Sequence, residues 1–275
     1  MTKKQLTVGA ALRSSELAKH ADWILEANRD LEIQDPVLPM LLDGNWKLQT
    51  KEINSILDGY GGRIGIHGPF INMPINAFDR KIREVVQLRI DQALDFAAEI
   101  NGTHMVVHSP FDYFGGPFRP LSDRDWPLVA TNSTLETLSP AVEKAKSIGL
   151  TIVIETIHDK NTLLLLDLVR AFDTETVRLS IDMGHVYINH HIAHGPSPDE
   201  WAAEAGDLLA HVHIQDTDGL SDRHWAPGKG NINFYPFFEE VRKLETTPRL
   251  ILELKDKSMI PAGAVWLIEN GHVDR

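Results

Sequence analysis

The chain has 275 residues, of which 43% are hydrophobic and 24% are charged, and it contains no cysteine. The composition is that of an ordinary globular protein, and the length fits one α/β barrel. The lack of cysteine excludes disulfides, thiolate metal ligands and cysteine nucleophiles. The formal net charge of −12 argues against nucleic-acid binding, because the broad positive field that attracts phosphates is missing.

Neither a leader nor a membrane segment is expected from the sequence. The Met-Thr-Lys-Lys start is followed by no signal-like apolar core. No run approaches the roughly 20 apolar residues that a membrane helix needs. The sequence therefore predicts a cytoplasmic protein without a membrane partner.

Short apolar strands alternate with longer helical patterns along the chain. The predicted strands cover residues 6–12, 31–33, 63–67, 103–108, 150–156, 177–182, 210–214 and 249–254. The predicted helices include residues 49–57, 79–100, 133–148, 162–172, 198–208, 234–244 and 262–270, and a first helix passes through Trp23 and Leu25. This alternation predicts right-handed crossovers and a parallel sheet. Eight units predict a single (β/α)8 TIM barrel, one α/β domain over residues 1–275, with an open doubly wound sheet as the alternative.

The longest irregular stretch, residues 109–130, is rich in proline, glycine and aromatic residues. It follows the fourth predicted strand, so it is expected at the rim where the strands end. A lid or a substrate wall is one interpretation, and a packed connecting loop is the other.

Six consecutive predicted strands end in side chains that can bind a metal ion. These side chains are His67, His108, Glu155, Asp182 with His185 three residues later, His213 and Glu253. The C-terminal ends of barrel strands meet at one mouth, so these groups should converge. Burying so many anions and imidazoles without a cation would be costly, which predicts a divalent-metal site. A hydrogen-bonded polar plug without metal is the alternative.

The segment after the seventh strand adds Asp222 and His224, followed by Gly228 and Gly230. The glycines allow the backbone to turn tightly near a ligand. On spacing alone, Asp222 and His224 are either further metal ligands or substrate contacts, or the charged residues of a solvated turn.

The remaining histidines are expected to have ordinary structural roles. His20 and His104 are interpreted as surface or strand-start residues, and His190, His191 and His194 as part of a rim loop. His211 is expected one layer below the metal, with its hydrogen bonds satisfied.

Several of these segments together carry a family resemblance. They are Ile66-His67-Gly68-Pro69, Val107-His108-Ser109-Pro110, Val153-Ile154-Glu155, Ile181-Asp182-Met183-Gly184-His185, His211-Val212-His213-Ile214-Gln215-Asp216, Asp222-Arg223-His224, Pro227-Gly228-Lys229-Gly230 and Ile251-Leu252-Glu253. The chain resembles the xylose isomerase-like barrel superfamily, in particular its sugar (phosphate) isomerase/epimerase proteins and the related endonuclease IV type of apurinic endonuclease. The motifs are specific for the superfamily and not for the reaction.

The isomerase side of the resemblance implies one divalent cation, such as Zn, Mn, Mg or Co, and no organic cofactor. Glu155, Asp182, His213 and Glu253 would be its ligands. Glu155 and Glu253 would also be catalytic, removing and returning a proton on a small sugar-like substrate through an enediolate. His185 would orient a substrate oxygen. Homodimers are common in this superfamily, so a homodimer is a possible assembly.

The endonuclease side implies a zinc-dependent phosphodiesterase with three zinc ions. Its ligand positions map onto His67, His108, Glu155, Asp182, His185, His213, Asp222, His224 and Glu253. Residues 35–43 are acidic and apolar where that family carries DNA-contacting residues, and no dense basic patch is present. Because phosphate contacts dominate DNA affinity, small-sugar chemistry is favoured and nucleic acid is not expected as a partner.

Overall fold

Eight parallel strands close into a barrel in chain order, and β8 pairs with β1. The computed structural model describes residues 5–111 and 125–275. The strands are β1 (Val8–Leu12), β2 (Leu31–Ile33), β3 (Ile64–His67), β4 (His104–His108), β5 (Thr151–Glu155), β6 (Val177–Asp182), β7 (Leu209–Ile214) and β8 (Arg249–Leu252). The predicted (β/α)8 barrel is confirmed, and the open sheet is excluded because Gly9 of β1 pairs with Ile251 of β8.

The described residues also form ten α-helices around the strands. They are α1 (Ser14–Leu25), α2 (Pro39–Leu42), α3 (Lys47–Ile56), α4 (Arg80–Glu99), α5 (Asp125–Ser147), α6 (Thr162–Ala171), α7 (Met183–Ala193), α8 (Pro198–Ala205), α9 (Phe234–Lys243) and α10 (Ile260–Glu269). Short 3₁₀ turns cover Asp35–Val37, Gly206–Leu208 and Lys257–Met259. In the part of the chain that is described, no helix has the length and apolar character to cross a bilayer.

The helices pack apolar faces against the outside of the barrel. Helix α9 shows the pattern, because Phe234, Phe237, Phe238 and Val241 are buried at the three- and four-residue spacing of one helix face. The strands are buried on both sides, and every residue of β1, β2 and β3 is buried. This explains why the strands look like short apolar runs in the sequence. Because burying an unpaired polar group is costly, polar side chains that point into the barrel are expected to contact one another.

Two sequence expectations about helices need correction. Helix α5 begins at Asp125 rather than at residue 133, so the end of the predicted irregular stretch is helical. Residues 112–124, where a lid or wall was expected, lie outside the described residues. His190 and His191 belong to the last turn of α7 and not to a rim loop, and His194 caps that helix with a left-handed φ of 55°.

His104 was expected at the surface or at a strand start, and only the expectation of a strand start is correct. It begins β4, but its side chain is completely buried inside the barrel. Gly65 on the neighbouring strand makes this possible, because a Cβ there would lie 2.0 Å from the His104 ring. His20, the other histidine of this prediction, is also buried, with 8% of its surface exposed.

Candidate metal centre

The nine side chains singled out from the sequence lie together at the mouth of the barrel. They form three adjoining groups, and within each group the candidate ligand atoms lie within 4.8 Å of one another. The groups are His67, His108 and Glu155; Glu155, Asp182, His213 and Glu253; and His185, Asp222 and His224. Glu155 belongs to two groups. The structure thus brings together both the four residues of the one-cation hypothesis and the nine of the three-cation hypothesis.

Glu155 lies at the centre of the rim and uses its two oxygens differently. Oε1 accepts a 2.7 Å hydrogen bond from His213 Nδ1. Oε2 lies 3.6 Å from His67 Nε2 and 3.5 Å from His108 Nε2, is buried, and has no hydrogen-bond partner among the described residues. Neighbouring ligands of a tetrahedral zinc ion are about 3.3 Å apart. The spacing and the unsatisfied oxygen therefore fit a cation between these three side chains.

Three rim histidines are held by the same kind of hydrogen bond. The Nδ1–H groups of His67, His185 and His224 donate to the backbone carbonyls of Gly68, Thr156 and Glu253, over 2.9, 2.9 and 2.8 Å. Each Nε2 is left facing the carboxylates of the site. Histidines that bind metals are usually oriented in this way by a hydrogen bond at the other ring nitrogen. The donor set thus fits a divalent cation in chemistry as well as in spacing.

Aromatic packing supports the first group. The ring of Phe70 stacks on that of His108 with 4.0 Å between centroids and lies 5.1 Å from that of His67. Phe70 and His108 also line a cavity of about 420 Å³ together with Asn72, Asn76 and Ile82. This volume lies within the range of small-molecule pockets.

Strand β8 ends at Leu252, one residue before the predicted ligand Glu253. Glu253 Oε2 still lies 3.5 Å from His213 Nδ1, and Oε1 accepts a 2.5 Å hydrogen bond from Gln34 Nε2. Lys257 Nζ in turn donates to Gln34 Oε1 over 3.0 Å. Gln34 had no predicted role, and it fixes one oxygen of Glu253 so that the other faces the site.

Glu32 is a buried carboxylate next to the site that was not expected from the sequence. It is completely buried on β2, and its Oε1 accepts a 3.0 Å hydrogen bond from His213 Nε2. A carboxylate in the middle of the apolar strand Leu31–Ile33 was the available signal. Its partner lies 181 positions away in the chain, so only the closed barrel shows what it binds.

Asp182 both caps helix α7 and faces the rim. Its Oδ1 accepts a 2.8 Å hydrogen bond from the backbone N–H of His185. Gln215 Nε2 donates to Asp182 Oδ1 over 3.1 Å and to Asp222 Oδ1 over 2.8 Å, and Gln215 Oε1 accepts from the His224 backbone over 2.8 Å. Gln215 thereby links the second and third groups.

The loop that carries Asp222 and His224 is organised by Asp216. The Asp216 carboxylate accepts hydrogen bonds of 2.8–3.1 Å from the backbone N–H groups of Thr217, Gly228, Gly230 and Ile232. A Cβ on Gly230 would lie 2.4 Å from Asp216 Oδ1. The glycines were expected to turn near a ligand, and the structure shows that Gly230 turns closely around this carboxylate.

We expect Asp216→Asn to destabilise the fold by about 2–4 kcal/mol. Each Asp216 oxygen accepts two of these buried hydrogen bonds, and the nitrogen that replaces one oxygen in asparagine cannot accept any. Urea unfolding of the variant measures the loss. The exposed Asp58 is the matched control, and Asp58→Asn should change the free energy of unfolding by less than about 0.5 kcal/mol. Equal stabilities of the two variants would contradict this role of Asp216.

Opposite charges compensate one another in the site. Burial opposes protonation of His213, but Glu253, Glu32 and Glu155 outweigh it and hold the pKa of His213 well above its usual range. Burial also opposes ionisation of Glu155, yet His213 and neighbouring histidines keep the pKa of Glu155 well below its usual range. The raised pKa keeps a positive charge on His213 among these carboxylates.

The two histidines at the edges of the site differ in their protonation. Burial lowers the pKa of His108 to about 3, so its ring is neutral and can act as a ligand. Burial opposes protonation of His224, but Asp222 and Glu253 raise its pKa to about 9.

A second cavity of about 340 Å³ lies beside His224 and is lined by Trp225, Lys229 and Met259, among others.

The expectation that the hydrogen bonds of His211 are satisfied is only half right. His211 is fully buried one layer below His213, and its Nδ1 lies 2.8 Å from Ser180 Oγ. Its Nε2 has no hydrogen-bond partner among the described residues.

An eight-stranded parallel barrel with His, Asp and Glu side chains at its mouth defines a class of barrel proteins whose chemistry takes place where the strands end. Residues 32–270 match the family of xylose isomerase-like TIM barrels. The chain therefore belongs to this family, and the resemblance seen in the sequence is confirmed.

Three similar proteins extend this finding. Protein MJ1614 of Methanocaldococcus jannaschii is 23% identical over 223 residues, which cover 79% of this chain and 80% of the relative. Fructoselysine 3-epimerase of Escherichia coli O157:H7 is 25% identical over 200 residues, covering 70% and 68%. The TTHB071 protein of Thermus thermophilus, from crystals soaked with ZnCl2, superposes with a TM-score of 0.73 at 22% identity, covering 97% and 99%. The last match shows a shared fold.

Proposed function

We propose that the protein is a divalent-metal-dependent isomerase or epimerase of a small sugar or sugar-like substrate. The observation that carries the proposal is the group of Glu155, Asp182, His213 and Glu253, in which two carboxylates from β5 and the end of β8 approach one imidazole nitrogen. The similarity to fructoselysine 3-epimerase supports a sugar-like substrate.

These four residues would hold the cation. When bound, the cation would polarise a substrate carbonyl and acidify the neighbouring C–H bond. The three carboxylates and one imidazole suit zinc or manganese, and zinc is the first ion to test because crystals of the structurally similar TTHB071 protein were soaked in it.

Glu155 and Glu253 would move the substrate proton. One carboxylate would remove a proton from the carbon beside the carbonyl, and the other would return it. Gln34 leaves Glu253 Oε2 free to face the substrate, whereas Glu155 Oε2 is an acceptor without a hydrogen-bond partner among the described residues. Burial opposes protonation of His185, but Asp182 and Asp222 hold its pKa well above the usual range, so that with Nδ1–H on the Thr156 carbonyl its Nε2–H would donate to a substrate oxygen.

A second candidate function rests on a different observation. The three adjoining groups share Glu155 and together offer every ligand position that the resemblance to an apurinic endonuclease implies. Three cations there would suit hydrolysis of a phosphodiester by an activated water molecule. The net charge of −12 speaks against DNA as the substrate.

The deciding experiment combines proton exchange with metal content. Ketoses are incubated with zinc- or manganese-loaded protein in D2O, and we expect deuterium at the carbon beside the carbonyl, with one cation per chain at the rim required for it. Glu253→Gln should reduce the exchange rate by about 10²–10⁴-fold. The exposed Glu239 on α9 supplies the control Glu239→Gln. Cleavage of an abasic-site duplex without ketose exchange, with three rim cations, would replace the proposal by the second candidate.

A further inference from the structure

A fourth group of possible ligands lies inside the barrel, below the rim. It consists of Glu32 on β2, His104 on β4 and His211 on β7, whose candidate ligand atoms lie within 4.8 Å of one another. All three side chains have 0% exposed surface. Neither hypothesis about the rim uses Glu32, His104 or His211 as a ligand.

The distances in this group match the spacing of ligands around one ion. Glu32 Oε2 lies 3.5 Å from His104 Nε2 and 3.1 Å from His211 Nε2. Two corners of a tetrahedral zinc site, with ligands about 2.0–2.1 Å from the ion, are separated by about 3.3 Å. The same spacing occurs around Glu155 Oε2 at the rim.

Glu32 Oε2 lies close to both imidazole nitrogens, at 3.1 Å from His211 Nε2 and 3.5 Å from His104 Nε2, but neither contact has the direction of a hydrogen bond. Glu32 Oε2, both ring nitrogens of His104 and His211 Nε2 are buried and have no hydrogen-bond partner among the described residues. A buried polar atom left unpaired costs about 1–3 kcal/mol, and more when it carries charge. A cation at the centre would satisfy three of these four atoms at once.

The chain also makes room for the group. Gly65 faces His104, and a Cβ there would collide with its Nδ1, Cε1 and Nε2 atoms at 2.0–2.2 Å. A glycine inside a strand weakens it and often marks a place where another group approaches closely. At this position the absent side chain admits an imidazole into the middle of the barrel.

We propose that Glu32, His104 and His211 bind a second, buried divalent cation of the zinc class, separate from any cation at the rim. The site contacts the rim at His213, because Glu32 Oε1 accepts the hydrogen bond from His213 Nε2 and the His211 and His213 rings pack with 4.6 Å between their centroids. The buried cation would hold Glu32 in place, and Glu32 would hold the His213 ring.

The test distinguishes buried zinc from rim zinc by whether EDTA removes the ion from the native protein. Protein produced with added zinc is treated with EDTA, and the remaining zinc is measured before and after unfolding in guanidinium. We expect one zinc per chain to resist EDTA until the protein unfolds, because its ligands are fully buried, whereas rim zinc is released from the native state. His104→Gln should lack the resistant zinc, and the rim control His224→Gln should keep it.

Resistant zinc absent from wild-type protein, or retained in His104→Gln, would overturn the proposal. If His104→Gln fails to fold, anomalous diffraction at the zinc edge from wild-type crystals decides. A peak about 2.0–2.1 Å from Glu32, His104 and His211 supports the site, and a water molecule or no density there overturns it. Resistant zinc without ketose exchange would refute the proposed function alone.

Discussion

Glu155→Gln is expected to abolish turnover and to remove metal from two ligand groups at once. Glu155 is the residue that the first and second groups share, and both of its oxygens face other ligands. The amide has one neutral oxygen and cannot take up a proton, so we expect kcat to fall by about 10²–10⁴-fold or more. Ketose proton exchange and elemental analysis of the same preparation measure both effects.

The control for this substitution is Glu239→Gln, because Glu239 is an exposed glutamate on the outer face of α9. It should leave both turnover and metal content unchanged. A Glu155→Gln protein that keeps its rim cation and loses only activity would limit Glu155 to proton transfer. Full retention of both properties would exclude Glu155 from the site.

Metal affinity at the rim should fall steeply as the pH is lowered. Burial disfavours the charged form of His213, but Glu253, Glu32 and Glu155 raise its pKa well above the usual range, so Nδ1 carries a proton in the metal-free protein. A cation must displace this proton before Nδ1 can coordinate the cation. Below the raised pKa, zinc affinity should therefore decrease about tenfold for each pH unit, and above it the dependence should disappear.

Competition between the protein and a chelator of known pH dependence, at pH 6, 7 and 8, measures this slope. His191→Gln is a suitable control, since His191 is exposed on α7 and should leave the slope unchanged. An affinity that stays constant over this range would show that His213 is already neutral or is not a ligand.

The fold and most of the rim could be predicted because both leave local signals. Strands buried on two sides appear as apolar runs, and a ligand-type residue at the end of each run is visible without knowledge of its neighbours. Glu155, Asp182 and His213 were found in this way. Asp222 and His224 follow no strand end, and only the loop wrapped around Asp216 shows that they face His185.

The residues that escaped prediction depend on contacts made when the barrel closes. Glu32 and His104 are single polar residues in short strands, and the contact between them forms only when the strands come together in the barrel. The burial of His104 further requires the absence of a side chain at Gly65, which no local pattern reveals. Helix α7 was missed because its histidines were assigned to a loop, although Asp182 supplies a good N-terminal cap.

Asp182 begins a helix and faces the rim with the same carboxylate. An asparagine there would keep an oxygen that accepts from the backbone of His185 but would remove the negative charge. This substitution therefore separates the helix cap, which needs only an acceptor oxygen, from cation binding, which needs the negative charge. Asp182→Asn would remove one candidate ligand charge while the cap of helix α7 stays in place.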